Sequence, residues 1–283
     1  MSNPGPHPNP HRPSLSLPPG AVDAHCHIFG PTDRFPYAPD RTFTPPEAPL
    51  EHLEALHELL GLSRAVLVQS AAHGTDHASL LDALHRGAGR YRGVALIRPS
   101  TPPSQVAELH EAGVRGARLH FTPHLGPAPS AETITSIVDL VRPHGWHIAL
   151  HVAGDGIAEH ERMVRDLGAP VVIDHMARVD LRAGLNSPAV TALRRLLDTG
   201  RVWVKLSGAD RLALRPPDLS DAAELAALLA RHAPERVLWG TDFPHPNITG
   251  AAPDDGDLVD LLADITPDPR ALLVDNPVAC YDF

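Results

Sequence analysis

The stretch AVDAHCHIF, residues 21–29, decides how the chain is read. It is short, apolar and β-like, and the two-residue period of a strand puts His25 and His27 on one face and turns Cys26 away. Seven further runs of this kind follow it: RAVLVQSA (64–71), RGVALIRP (92–99), VRGARLHF (114–121), HIALHV (147–152), VVIDHMA (171–177), VWVKLSG (202–208) and RVLWGTD (236–242). Longer segments with helical spacing lie between and after them, among them LEHLEALHELL (50–60), HASLLDALHRG (77–87), AETITSIVDLVR (131–142), AEHERMVRDLG (158–168), SDAAELAALLARH (220–232) and GDLVDLLADI (256–265). Several end at glycine, the usual helix stop.

Strand and helix alternating eight times predict parallel strands joined by right-handed crossovers, and the common closed solution is a single-domain α/β fold, the (β/α)8 TIM barrel. A doubly wound open sheet is the alternative. It is weakened by the first strand, which runs into histidines where a dinucleotide site has G-x-G-x-x-G. The 283 residues match one barrel, for which about 250 is typical. The Pro-rich residues 1–20 are expected to be a disordered tail, with the barrel spanning 21–283 and the long loop 30–49 forming a partial lid over its mouth.

Composition narrows the function. A formal net charge of −10 argues against nucleic-acid binding, which relies on clustered Lys and Arg. No apolar run approaches the ~20 residues that span a bilayer. The two cysteines, Cys26 and Cys280, form no paired framework, so the cytoplasm is the expected location.

The chemistry sits at strand ends. In a barrel the C-terminal ends of all strands meet at one mouth, so His25 and His27, His151, His175 and Asp242 should converge there. Arg118, Arg178 and Arg211 fall at the same mouth, where guanidinium groups would bind carboxylates through paired hydrogen bonds. His120 is expected to be structural, and Asp174 to point out of the lumen.

His-x-His on the first strand, histidines on the fifth and sixth and Asp on the eighth resemble the amidohydrolase superfamily. CHIFGP, RFPYAP, VLVQSAAHGTDH, IDHMAR, WVKLSGADR and LWGTDFPHP resemble, more narrowly, its lactone-hydrolysing branch, the 2-pyrone-4,6-dicarboxylate lactonases. The resemblance implies ring opening of a small anionic lactone by water. Asp242 would be the base, His175, His25 and His27 would act on the carbonyl, and Arg118, Arg178 and Arg211 would hold carboxylates. Ser70, His73, Tyr37 and His124 would be further substrate-binding positions. Two versions stay open: one divalent, zinc-like ion on His25, His27, His151 and Asp242, or a metal-free site. The alternatives to a lactonase are a metal-dependent decarboxylase of an aromatic or unsaturated carboxylic acid and a non-catalytic barrel that binds small acids.

Overall fold

The computed structural model describes residues 4–248 and 250–283. Eight parallel strands lie in sequence order: β1 (Val22–Cys26), β2 (Arg64–Val68), β3 (Tyr91–Ala95), β4 (Val114–His120), β5 (His147–His151), β6 (Val171–Ile173), β7 (Val202–Lys205) and β8 (Val237–Leu238). The sheet closes on itself through hydrogen bonds from Ala24 N to Trp239 O at 2.8 Å, from Asp242 N to His25 O at 2.8 Å and from His27 N to Phe243 O at 2.7 Å. The expected TIM barrel is the fold observed.

The helices are α1 (Leu50–Leu60), α2 (Ala78–Gly87), α3 (Pro103–Glu111), α4 (Ala131–Val141), α5 (Gly156–Glu159), α6 (Glu161–Arg165), α7 (Pro188–Leu197), α8 (Ala209–Leu212), α9 (Ser220–His232), α10 (Asp255–Asp260), α11 (Leu262–Ile265) and α12 (Asn276–Tyr281). Sequence periodicity merged α5 with α6 and α10 with α11, each of which is two short pieces. In α4 the buried residues are Ile134, Ile137, Val138 and Val141, one stripe at helical spacing, and the Ser130 side chain caps the helix by accepting from Thr133 N. Each such aliphatic residue contributes about 1.5–3 kcal/mol by leaving water. No helix among the described residues is long and apolar enough to cross a membrane.

Alternation splits the strands between two cores. Ile148, Leu150, Ile173 and Val204 face the helices, whereas Val22, Ala24, Val66, Val68, Val94, Ala149, Val172, Trp203 and Leu238 fill the floor of the lumen together with Tyr281 from α12. The floor is a packed plug, so the mouth is the open end.

The N-terminal segment differs from the disordered tail that its proline content predicts. His11 N–H reaches the Asp254 carboxylate at 3.1 Å, Leu15 N–H donates to Asp260 Oδ1 at 2.8 Å, and Leu15 and Leu17 pack on the outer core. Carboxylates at the start and end of α10 satisfy backbone donors that a proline-rich chain cannot pair within itself.

Candidate active site

Two local departures from regular strand geometry build the site. Between Asp23 and Cys26 the β1–β2 register shifts, so Val22 and Ala24 face the floor while His25 and His27, two residues apart, both reach the mouth. Asp23 braces this bulge from behind. Its Oδ1 accepts from His25 N at 3.0 Å and Thr241 N at 3.1 Å, and its Oδ2 accepts from Thr241 Oγ at 2.6 Å, with His57 Nε2 at 3.1 Å. The β8 end can approach so closely only because residue 240 is glycine: a Cβ there would lie 2.4 Å from His25 N.

At β6 the strand stops at Ile173, and His175, Met176, Ala177 and Arg178 take φ values of 52°, 49°, 55° and 45°. This left-handed turn of four non-glycine residues is strained, at roughly 1–2 kcal/mol each. It swings His175 and Arg178 into the mouth. Asp174 keeps the inward parity of Val172, which corrects the expectation that it points out: it is fully buried in the lumen. His120 is corrected too, since it shares a face with Arg118 two residues away and lines the cavity.

Asp242, itself at φ 64°, is the hub. Its Oδ1 lies 3.6 Å from His25 Nε2, 3.4 Å from His27 Nε2 and 3.7 Å from His175 Nε2, and the first two nitrogens are 3.3 Å apart. Its Oδ2 accepts from Arg211 Nε at 2.6 Å. Each imidazole is anchored through Nδ1: His27 to Val68 O at 2.6 Å, His175 to Ser207 Oγ at 2.9 Å and His25 to Lys205 Nζ at 2.9 Å. Burial opposes charge on Asp242, but Arg211, then His175 and His27, outweigh it and hold the carboxyl well below its usual range. Burial likewise pushes His175 down to about 3 and His25 well below the ordinary imidazole value, so both rings are neutral.

A polar layer separates this hub from the floor. Arg118 binds Asp174 Oδ2 through Nε at 3.1 Å and Nη2 at 3.0 Å, and Asp174 Oδ1 lies 3.2 Å from both Lys205 Nζ and His25 Nδ1. Burial alone would raise the Asp174 carboxyl; Lys205, His25 and Arg118 keep it well below the usual range. Sequence reading missed Lys205, whose signal was a lysine at an inward position of a strand that is otherwise apolar.

Above the hub is a cavity of about 650 Å³ walled by His27, Ser70, Arg118, His120, His124, His151, His175, Arg178, Arg211 and Asp242, with Thr42 and Phe43 contributed by the loop 30–49. Arg178 forms no ion pair among the described residues, whereas Arg118 and Arg211 are bound to carboxylates. Ser70 reaches the cavity but its Oγ accepts from Ala72 N at 3.2 Å. Tyr37 and His73 do not line the cavity; they pack against each other at 5.1 Å, and His73 stacks on Phe29 at 6.1 Å. Those two bulky rings brace the loop that carries Phe43.

The expected metal set is not assembled as written. His25, His175 and Asp242 offer donor atoms all within 4.8 Å of one another, but His151 stands apart, its ring 5.9 Å from that of His175. His151 joins the cavity wall instead. The hub spacings of 3.3–3.7 Å suit an ion, since a tetrahedron with bonds of about 2.1 Å has edges of about 3.4 Å. The protons do not suit it: Lys205, donor-only as an ammonium, occupies His25 Nδ1, which leaves the ring proton on the Nε2 that a metal would need.

The chain is similar to known proteins over nearly its whole length. The amidohydrolase family matches residues 22–283. A 2-pyrone-4,6-dicarboxylate hydrolase of Comamonas testosteroni is 38% identical over 96% of this chain and 93% of its own length. A 4-sulfomuconolactone hydrolase of Hydrogenophaga intermedia is 38% identical over 96% and 91%. A ligand-free crystal structure from Agrobacterium tumefaciens, 27% identical, superposes with a TM-score of 0.83 over 96% of this chain and 98% of that one.

Proposed function

The chain belongs to the amidohydrolase family, and we propose that it opens a small carboxylated lactone, of the 2-pyrone-4,6-dicarboxylate kind, by adding water to the ring carbonyl. The observation that carries this reading is Asp242, whose Oδ1 faces three imidazoles while Arg211 holds its Oδ2, at the base of a cavity walled by three arginines. Relatives at 38% identity are named for hydrolysis of an anionic pyrone and of a sulfonated lactone, both of which suit a cationic wall.

In the proposed reaction Asp242 Oδ1 takes a proton from water as the water oxygen bonds to the carbonyl carbon. His175, whose ring lines the cavity and whose Nδ1 meets Ser207 Oγ, donates from Nε2 to the developing oxyanion, where a fixed donor in a dry site is worth the most. The tetrahedral intermediate collapses by breaking the bond to the ring oxygen, and the proton on Asp242 passes to that oxygen. Arg178, which has no ion pair among the described residues, binds one anionic group of the substrate, and Arg118 with His120, His124 and His151 binds a second. Tyr37 and His73 support the wall from behind. No step uses a metal, in keeping with the proton on His25 Nε2.

Purified protein offered pyrone dicarboxylate, a sulfomuconolactone and an uncharged lactone should open the anionic rings and not the neutral one, as followed by ultraviolet absorbance. It should contain no stoichiometric metal by elemental analysis and keep its rate after prolonged chelation. Release of CO₂ from aromatic acids would move the assignment to a decarboxylase, and preference for the neutral lactone would remove the arginines from recognition.

A further inference from the structure

Lys205 is completely buried, does not line the cavity, and lies in the polar layer below the hub. Its Nζ is 2.9 Å from His25 Nδ1 in hydrogen-bond geometry. Asp174 Oδ1 is 3.2 Å from both groups and meets neither in well-aligned geometry, so its hold on the ring is weaker than that of Lys205 at 2.9 Å. The carboxylate is therefore a counter-charge for the ammonium, and the directional contact to the ring comes from lysine. An ammonium has three N–H donors and no acceptor, so His25 Nδ1 must present its lone pair.

The geometry points to Lys205 as a positioning residue that fixes the tautomer of His25, holding the ring proton on Nε2 and keeping this histidine a proton donor toward the hub, where His27 Nε2 and Asp242 Oδ1 face it. The neighbouring ring completes the pattern. His27 Nδ1 faces Val68 O at 2.6 Å, and a carbonyl can only accept, so His27 carries its proton on Nδ1 and turns a lone pair toward His25 Nε2 at 3.3 Å. One ring of the His-x-His pair thus donates and the other accepts. Exchange of the lysine for an apolar residue removes the donor and leaves Asp174 as the nearest partner of Nδ1, which reverses the tautomer and frees Nε2 for a cation.

This rests on the lactonase reading only for its effect on rate; the tautomer and the affinity for metal are read without substrate. In ¹⁵N spectra of the ring-labelled wild-type protein, with His25 assigned by its loss in His25→Gln, Nδ1 should be the unprotonated nitrogen and Nε2 the protonated one. Lys205→Met should move the proton to Nδ1 and tighten Zn²⁺ binding about ten- to hundredfold, the scale on which groups behind a ligand act. With an anionic lactone that variant should lose about ten- to hundredfold in kcat, the scale on which a group behind a functional residue acts, with KM little changed. Lys205→Gln, which keeps an N–H donor, should restore the wild-type tautomer and part of the rate. A protonated Nδ1 in the wild type overturns the proposal even if Lys205→Met fails to fold. So does a Lys205→Met protein with the wild-type tautomer and unchanged zinc affinity.

Discussion

The two walls of the mouth are finished to different degrees. On the β6–β8 side the cavity-lining Asp242 and His175 already have partners within the protein, Arg211 and Ser207. On the β4–β5 side Arg118 is held by Asp174, but the histidines that share its wall are open: among the described residues both ring nitrogens of His120 and Nδ1 of His151 are buried without a hydrogen bond. Each unpartnered group costs about 1–3 kcal/mol. A wall that carries such a cost is a surface waiting for a ligand, and a wall that has paid it is one whose geometry must be set before the ligand arrives. We read β6–β8 as the chemical side and β4–β5 as the recognition side, and variants should separate them through kcat and KM.

The largest effect belongs to the chemical side. Asp242→Asn keeps the shape of the hub but cannot accept a proton from water, so turnover should vanish while the protein folds and still binds an anionic lactone in calorimetry. Near-normal turnover would remove Asp242 from the role of base. Arg211→Met is the subtler break. In the wild type the carboxyl is ionised through the whole ordinary range, so activity falls only as pH drops well below the ordinary aspartate value of 3.8. Without Arg211, burial, which favours the protonated form, loses its strongest opponent. The acid limb of kcat/KM should therefore move up in pH, with kcat falling before KM rises.

How far the sequence discloses this division follows from what alternation can and cannot report. Eight strands, their order and the convergence of His25, His27, His175 and Asp242 are legible because residue type and strand position coincide there. Alternation counted through IDHMAR misplaces Asp174, since His175 reaches the mouth through a left-handed turn that the sequence does not announce. His151 illustrates the opposite limit: it sits on the inward face of a strand as expected, yet it stops beside the hub because depth along the lumen is not encoded by parity. The tail is missed for a third reason, that its anchors, Asp254 and Asp260, lie more than two hundred residues away.

Arg178 sharpens the comparison, because it stands on the chemical side but has no ion pair among the described residues. Arg178→Met should behave like a recognition variant, raising KM by the equivalent of roughly 1.5–3 kcal/mol, the range of a hydrogen bond to a charged group, with kcat little changed. His151→Phe, on the recognition side proper, should raise KM by about tenfold or less, as befits one neutral donor of about 0.5–1.5 kcal/mol. If either variant lowers kcat and leaves KM alone, the boundary between the two walls has been drawn in the wrong place.

The smallest effect tests what the chemical side costs the fold. Ala177 sits in the left-handed turn at φ 55° and Ala226 in the middle of α9, and both are buried, at 0% and 1% exposure. Replacing either by glycine deletes the same methyl group from a packed interior, so the loss of apolar burial, about 0.8 kcal/mol, is common to both. The backbone terms have opposite signs. Glycine in a helix interior is about 1 kcal/mol worse than alanine, whereas at a positive φ it relieves a penalty of roughly 1–2 kcal/mol. Ala226→Gly should therefore destabilise clearly and Ala177→Gly hardly at all, a gap of about 2 kcal/mol by denaturant unfolding. Equal losses at the two sites would mean that the turn is not strained. A strained turn that glycine relaxes should also hold His175 less firmly, so Ala177→Gly should show a small fall in kcat at nearly unchanged stability.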